Sequence, residues 1–198
     1  MDVEALIKHK EDEKKQKKYI QFSERELEKL RPDEVEKIID HFHGSTLVRL
    51  PESEVKFFEW LKETDRAVWN DLWEEDEEDE SYLVSVDFLR EFIRETPSFP
   101  ICDLIDEPNY WFTFRHIKPE GLEYLQEEIR LKVEMDEDLT LEELFLLEIS
   151  VSSTDIWHFS HRHQVPVERM KQAIADMVYK GWIVHLTDRD DLVKYLDF

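Results

Sequence analysis

The sequence predicts a mostly helical α+β protein, and three features of the chain support this fold class. Apolar residues recur at helical spacing in several segments, most clearly between residues 33 and 43. Two β-prone runs, 101–105 and 110–117, flank the turn-forming residues 106–109, a pattern that is typical of a β-hairpin. A polar stretch at 135–138 then precedes a C-terminal third that has a helical pattern of its own.

These features divide the 198 residues into three predicted parts. Residues 1–20 are polar and rich in lysine, and we expect a frayed or helical tail there. Residues 21–136 are predicted to form a helical α+β domain that contains the hairpin near 101–117. Residues 139–198 are predicted to form a second domain. Hydrophobic residues make up 41% of the chain and aromatic residues 12%, which is enough to build a core.

Local signals mark the ends of several helices in the first 136 residues. Ser23 and Glu26 have the spacing of a capping box, in which each side chain accepts a hydrogen bond from the backbone of the other residue. Gly44 stands where a residue in the left-handed conformation would end the helix at 33–43. The further predicted elements are a strand at 46–50, a helix at 54–73 capped by Ser53, and helices at 87–95 and 119–135.

The chain is strongly acidic, because 49 Asp and Glu oppose 26 Lys and Arg and give a formal net charge of −23. Tight binding to nucleic acid draws mainly on cationic contacts with phosphate, so DNA is disfavoured as a partner, as are anionic membranes. An acidic surface favours a basic protein partner instead. The densest acidic patch is a run of seven carboxylates: Glu74, Glu75, Asp76, Glu77, Glu78, Asp79 and Glu80.

No group of residues forms a catalytic signature, and we predict that the protein is not an enzyme. The chain has three glycines, widely separated, whereas loops that cradle phosphate need several glycines close together. Nucleotide-binding loops of the Rossmann or P-loop kind are therefore disfavoured, and no cofactor is predicted. Cys102 is the single cysteine, and the first residues contain no long apolar stretch. Both observations indicate a cytoplasmic protein without a membrane span.

The C-terminal third has the signals of three short helices and a strand. An apolar-rich helix is predicted at 141–149, and the pair Thr154-Asp155 is expected to cap a second helix. Pro166 opens a third helix, which Gly181 is expected to end before a strand at 182–186.

Over about residues 139–190 this order of elements resembles the winged helix-turn-helix superfamily. The resemblance rests on core, turn and glycine positions: Phe159-Ser160, Val165-Pro166, Met170, Ile174, Met177, Gly181 and Ile183. It implies a winged-helix-like domain whose third helix, 166–180, exposes one side to a macromolecular partner. The residues implied on that side are Val167, Glu168, Arg169, Lys171 and Gln172.

In members of the superfamily that read DNA, such positions face the major groove. Residues 139–198, however, contain ten carboxylates and six Lys or Arg, and Glu168 lies on the reading side itself. The sequence therefore favours a helix that binds protein. A DNA-binding transcriptional regulator that uses the helix 166–180 is the alternative, and it would need a dimer or a local basic stripe.

Three residues near the start of the second helix form a candidate metal site. Asp155, His158 and His161 are spaced three residues apart, and divalent metal ions accept imidazole and carboxylate ligands. The same residues overlap the turn region of the resemblance, where polar residues are ordinary. A structural role is favoured, and a metal-binding protein or an enzyme with an unrecognised site is a second alternative.

The favoured function is that of a non-enzymatic regulatory or adaptor protein. Acidic surface would steer a basic protein partner, and burial of the winged-helix face would then provide the affinity. Nothing in the sequence predicts an oligomeric state.

Overall fold

The structure, a computed structural model, describes residues 2–73, 82–93, 101 and 110–184. The chain forms two compact units, Met1–Phe99 and Pro100–Phe198. The described part of each unit is mainly helical and includes a small sheet of short strands. The predicted α+β class with a high content of helix is confirmed.

Helices and short strands alternate in the described part of the first unit. In chain order they are α1 (Val3–Lys17), β1 (Tyr19–Gln21), α2 (Glu24–Leu27), α3 (Pro32–Phe42), β2 (Leu47–Arg49), α4 (Glu52–Thr64), α5 (Arg66–Leu72), β3 (Leu83–Ser85) and α6 (Leu89–Ile93), with a 3-10 turn at Val86–Phe88. The middle strand, β2, is parallel to β1 and antiparallel to β3. Helices α2 and α3 form the crossover that a parallel pair of strands requires.

Helix α1 belongs to the core of the first unit, so of the two outcomes expected for residues 1–20, a frayed or a helical tail, the structure has the helical one. Val3, Leu6 and Ile7 are buried and lie in the same hydrophobic cluster as the apolar residues of α3. The side chain of Asp2 caps the helix by accepting from the N–H of Glu4. The many lysines of this segment suggested a solvated tail, but three apolar residues at helical spacing anchor one of its faces.

Two predictions concern the ends of the next helices. The capping box of α2 is present, since Ser23 Oγ accepts from the N–H of Glu26 and the Glu26 carboxylate accepts from the N–H of Ser23. Helix α3 ends where it was predicted to end, but the residue with a positive φ is His43, at 60°, and not Gly44.

The single helix predicted over 54–73 is two helices in the structure. They are divided at Asp65, whose carboxylate accepts from the N–H of Val68 and so begins α5. The first of them, α4, follows Pro51, and no side chain caps it, so the expected Ser53 cap is wrong. The apolar pattern of 54–73 does not reveal this break, because the Asp65 side chain competes for backbone N–H groups and starts a new helix.

The described part of the second unit consists mainly of one long helical run, which contains a π-helical segment, and of three helices that follow it. Its elements are β4 (Trp111–Phe112), α7 (Pro119–Tyr124), α8 (Arg130–Glu134), α9 (Leu141–Val151), β5 (Thr154–Asp155), α10 (Ile156–His163) and α11 (Val167–Tyr179). A 3-10 turn at Phe114–His116 precedes α7, and a π-helical segment, Leu125–Ile129, joins α7 to α8. The helix predicted over 119–135 is thus present as a continuous run.

The strand pairing of this unit crosses the boundary that was predicted at 135–138. Strand β4 pairs antiparallel with β5, and Ile117 forms a β-bridge with Ile183. The segment after residue 110 therefore belongs with the C-terminal third, and the contacts of the chain divide it near residue 100 instead. The first arm and turn of the expected hairpin, 102–109, lie outside the described residues. A polar loop between two helices carries no local sign of what its flanking segments pair with.

The last three helices begin and end close to the predicted positions. Asp155 caps α10 by accepting from the N–H groups of Trp157 and His158. Helix α11 ends at Tyr179, just before Gly181, whose φ is 74°. The N–H of Trp182 donates to the carbonyl of Met177 at 2.9 Å. Of the strand predicted at 182–186, Ile183 forms the β-bridge, and residues from 185 onward lie outside the described part.

Candidate protein-binding site

A short turn between α10 and α11 positions the predicted macromolecule-binding helix. Gln164 adopts the left-handed conformation (φ 54°, ψ 40°), and the N–H of Val165 donates to the carbonyl of Ser160 at 2.9 Å. Pro166 then precedes the first residue of α11 in an extended conformation. One face of α11 is buried in the core, and it consists of Val167, Met170, Ala173, Ile174 and Met177.

The opposite face of α11 is exposed along its whole length. Glu168, Gln172, Ala175 and Tyr179 are exposed, and their spacings of four, three and four residues place them in one line on the helix. Tyr179, the last residue of the helix, is 93% exposed. This line of residues, which we call the outer stripe, ends in a large aromatic side chain in contact with solvent.

The structure brings four of the five predicted residues to the solvent side of α11 and buries the fifth, Val167, in the core. Three of the four exposed residues interact within the helix. Lys171 Nζ lies 3.1 Å from Glu168 Oε1 and 5.5 Å from the centre of the Tyr110 ring. Gln172 Nε2 donates to Asp176 Oδ1 at 2.9 Å. Arg169 is exposed and has no bonded partner among the described residues. The polar groups of this face are therefore partly compensated before any partner arrives.

The end of α11 is held by aromatic stacking. The rings of Tyr124 and Trp182 are stacked, with 4.2 Å between their centres, and Lys180 Nζ lies 4.4 Å from the centre of the Trp182 ring. The carbonyl of Trp182 accepts from the N–H of Lys118 at 2.9 Å. Trp182 is thereby fixed against the start of α7, and so is the chain that follows Tyr179.

A buried carboxylate supports the same region and was not singled out from the sequence. Glu143 is 2% exposed, and its Oε1 accepts from Tyr124 Oη at 2.6 Å and from Lys132 Nζ at 2.7 Å. Its Oε2 accepts from the N–H of Thr140 at 2.8 Å. The capping spacing of Thr140 and Glu143 was a visible signal, but the two further donors come from another helix.

The hydrogen bonds to Glu143 change the pKa values of both partners. Burial alone would raise the pKa of Glu143, but the hydrogen bonds from Lys132, Tyr124 and Thr140 outweigh it and lower this pKa to about 2. The hydrogen bond to the Glu143 carboxylate, together with burial, raises the pKa of Tyr124 to about 12. Glu143 is therefore charged at neutral pH and ties α9 to the α7–α8 helix.

Two of the three candidate metal ligands, Asp155 and His158, are buried in the core. Asp155 Oδ1 accepts from the N–H groups of Trp157 and His158, while Oδ2 accepts from the N–H of Ile101 and lies 2.6 Å from His158 Nδ1. Asp155 and His158 are 0% and 4% exposed. No group of three metal-ligating side chains occurs in the part of the chain that the structure describes, so His161 does not complete a site with them.

Two parts of the proposed binding surface, the acidic run and Tyr179, were not equally predictable from the sequence. The acidic run Glu74–Glu80 lies outside the described residues, and a patch there stays a prediction. Tyr179 was missed, although its register with Glu168 and Gln172 could have been read from helical spacing. What the spacing does not reveal is that no other described element covers it.

Comparison with protein families, with curated proteins and with solved structures gave no match for this chain. None of the described helices combines the length and the apolar character needed to cross a lipid bilayer.

Proposed function

We propose that this protein is a non-enzymatic adaptor that binds another protein through the outer stripe of α11. The observation that carries the proposal is the 93% exposure of Tyr179 at the end of a firmly anchored helix. Tyrosine is enriched among the residues that contribute most to protein interfaces, because its large ring is rigid and its hydroxyl can still form hydrogen bonds. An anchored aromatic loses little conformational entropy when a partner covers it.

A winged-helix-like arrangement of the second unit is part of the proposal. The order α9, β5, α10, α11 and then the bridge at Ile183 supports it, as does the short turn at Gln164. In this arrangement α11 is the helix that meets the partner, and its apolar residues form the core behind it.

The partner that fits best is a basic protein. A net charge of −23 attracts cationic surfaces over a distance and repels anionic ones. Long-range attraction would bring the partner to the protein, and burial of Tyr179 would then hold it. The carboxylates of the run Glu74–Glu80 would contribute to the first step.

DNA binding by the same helix is the second candidate, and it is favoured by the exposed Arg169, which has no partner in the described part of the chain. The neighbouring groups weaken it, because Lys171 is close to the Glu168 carboxylate and Gln172 is bonded to Asp176. A phosphate approaching this helix would meet two carboxylates beside two cations.

The test is to identify partners by capture from native lysate with the full-length protein, and then to measure the affinity of each purified partner for two variants. Tyr179→Ala removes the exposed aromatic ring of the outer stripe. Phe114→Ala removes another aromatic ring of the same unit that is 53% exposed but does not lie on α11. We expect Tyr179→Ala to weaken binding about tenfold or more and Phe114→Ala to change it less than about twofold.

Equal effects of the two variants, or none, would contradict the assignment of the binding face. Duplex DNA is titrated in parallel at low salt. A mobility shift that Arg169→Glu abolishes and Tyr179→Ala leaves intact would replace the adaptor proposal with the DNA-binding one.

A further inference from the structure

A groove in the first unit gathers cationic side chains in a chain that is acidic as a whole. It has a volume of about 520 Å³ and lies where α1 passes the C-terminal end of α3. Its lining residues are Glu11, Lys14, Lys15, His41, Phe42 and His43. We propose that this groove binds a phosphate group, and that Lys14 and His43 are its principal ligands.

The first support is the pairing of the charged groups that line the groove. Glu11 Oε1 lies 2.8 Å from His41 Nε2, and Lys15 Nζ lies 2.8 Å from Asp12 Oδ1. Lys14, by contrast, donates only to a neutral group, the hydroxyl of Thr46 at 2.6 Å, and has no carboxylate partner among the described residues. Of the two lysines that line the groove, Lys14 is therefore the one whose charge is not compensated by a described carboxylate.

Lys14 is also held in place by its surroundings. Its Nζ lies 5.9 Å from the centre of the Phe42 ring, and the Thr46 hydroxyl that it contacts donates in turn to the Phe42 carbonyl at 2.6 Å. The Phe42 carbonyl at the end of α3 is therefore bonded to the Thr46 hydroxyl and not to the Lys14 ammonium group. An ammonium group has three hydrogens, so Lys14 retains donors for an anion.

The second support is the backbone of His43. Its φ of 60° and ψ of 158° lie in a region that is nearly restricted to glycine. The next residue, Gly44, could adopt this conformation without strain, yet the structure places the strain on the histidine. Strained residues are concentrated at ligand-binding positions. His43 is exposed and lines the groove together with Lys14, and its imidazole has no bonded partner among the described residues.

The charges of the groove favour phosphate over a single carboxylate. Coulomb attraction grows with the product of the charges, so a dianion gains more from two or three neighbouring cations than a monoanion does. At physiological salt, charges separated by more than about 8 Å are largely screened at the surface. Distant carboxylates of the chain are therefore largely screened, and the carboxylate that lines the groove, Glu11, lies against His41. Lys15, whose pairing with Asp12 is exposed to solvent, can turn toward the same anion.

The test is a titration of the full-length protein with inorganic phosphate and, separately, with O-phosphoserine, at constant ionic strength with serine as a blank. Binding is followed through the imidazole proton signals of His43 and by calorimetry. Saturation by phosphate alone identifies free phosphate as the ligand, and saturation by O-phosphoserine identifies a phosphate monoester. Either result supports the proposal, and the absence of saturable binding by both overturns it.

Two lysine variants test the position of the site. Lys14→Met removes the cation without a carboxylate, and Lys8→Met removes an exposed lysine of α1 that does not line the groove. Both lower the net charge by the same amount. We expect Lys14→Met to weaken binding about tenfold and Lys8→Met less than about twofold. Equal weakening would mean that the anion responds only to overall charge, and it would overturn the proposal.

A glycine variant separates binding from folding. His43→Gly removes the imidazole and also relieves the backbone strain, so we expect weaker phosphate binding together with an unchanged or higher melting temperature. Unchanged phosphate affinity in this variant would overturn the role of His43. The variant keeps Lys14 and its bond to Thr46, so the measurement remains possible if Lys14→Met does not fold.

Discussion

At the scale of single residues, buried polar groups of the second unit each have several specific partners. Glu143 and Asp155 are both almost completely buried, and each carboxylate accepts from backbone and side-chain donors. A buried carboxylate that lost its donors would destabilise the protein, because desolvation of the charge would no longer be offset. Such residues are structural even though their residue types also occur in metal sites.

Glu143 provides a prediction about pH. Its pKa in the folded protein, about 2, lies below the ordinary value of 4.5, so ionised Glu143 stabilises the fold above the ordinary value. That stabilisation is lost as pH falls from about 4.5 toward about 2. We expect Glu143→Gln to lower the free energy of unfolding at pH 7 by about 1–3 kcal/mol, measured by urea unfolding.

The difference between wild type and Glu143→Gln should shrink as the pH is lowered below 4.5. Glu127→Gln is the matched control, because it removes the same charge from an exposed position of the adjoining helical segment. A difference that stays constant with pH would show that the charge of Glu143 is not what stabilises this network.

At the scale of secondary-structure elements, helix ends followed from the sequence more closely than strand pairing did. The capping residues Ser23 and Asp155 and the terminal Gly181 act on backbone groups within a few residues, so their effect is visible in short stretches of sequence. The pairing of Trp111 with Asp155 joins positions far apart in the chain, and no local pattern encodes it. The predicted hairpin near 101–117 stays a prediction, because its first arm and turn lie outside the described residues.

Part of the candidate site could likewise be predicted from the sequence, and part of it could not. The solvent side of α11 was implied by the resemblance, and Glu168, Arg169, Lys171 and Gln172 are there, whereas Val167 is buried. The importance of Tyr179 depends on what packs nearby, which spacing does not reveal. The buried role of His158 was likewise hidden, because its partner Asp155 also accepts from the N–H of Ile101, more than fifty residues earlier.

The close packing of α7 against Trp182 leads to a prediction about the stability of the second unit. A Cβ on Gly121 would lie 2.2 Å from the Trp182 carbonyl oxygen, which is backbone and cannot rotate away. We expect Gly121→Ala to lower the free energy of unfolding by about 1–3 kcal/mol, although alanine favours helix. In the control Gly44→Ala, the close atom is the exposed side-chain oxygen of Asp87, which can move, so a smaller loss is expected in denaturant unfolding. A Gly121→Ala variant more stable than wild type would contradict this close packing.

At the scale of the whole molecule, two different surfaces occur on one acidic chain. The first unit carries the cationic groove, and the second carries the outer stripe with Tyr179. The net charge of −23 acts on every partner, because electrostatic attraction extends beyond the contact area. Charge and contact therefore control different steps of binding.

This separation gives a prediction for the protein partner. Raising sodium chloride from about 0.05 M to about 0.5 M should slow association strongly, because the Debye length shortens, and should change dissociation little. Tyr179→Ala should do the opposite and mainly accelerate dissociation. Rate constants from surface plasmon resonance check both statements. An association rate that does not depend on salt would contradict the steering role of the acidic surface.

The bond from the Ile101 N–H to Asp155 and the pairing of β4 with β5 have a practical consequence for dissecting the chain. A fragment that begins at residue 139 would expose the Asp155 carboxylate and leave β5 without its partner strand. It would also lack α7, whose Tyr124 stacks against Trp182. A fragment that includes α11 and keeps these contacts therefore has to start near residue 100. This is well upstream of residue 139, where the helical pattern of the C-terminal third begins.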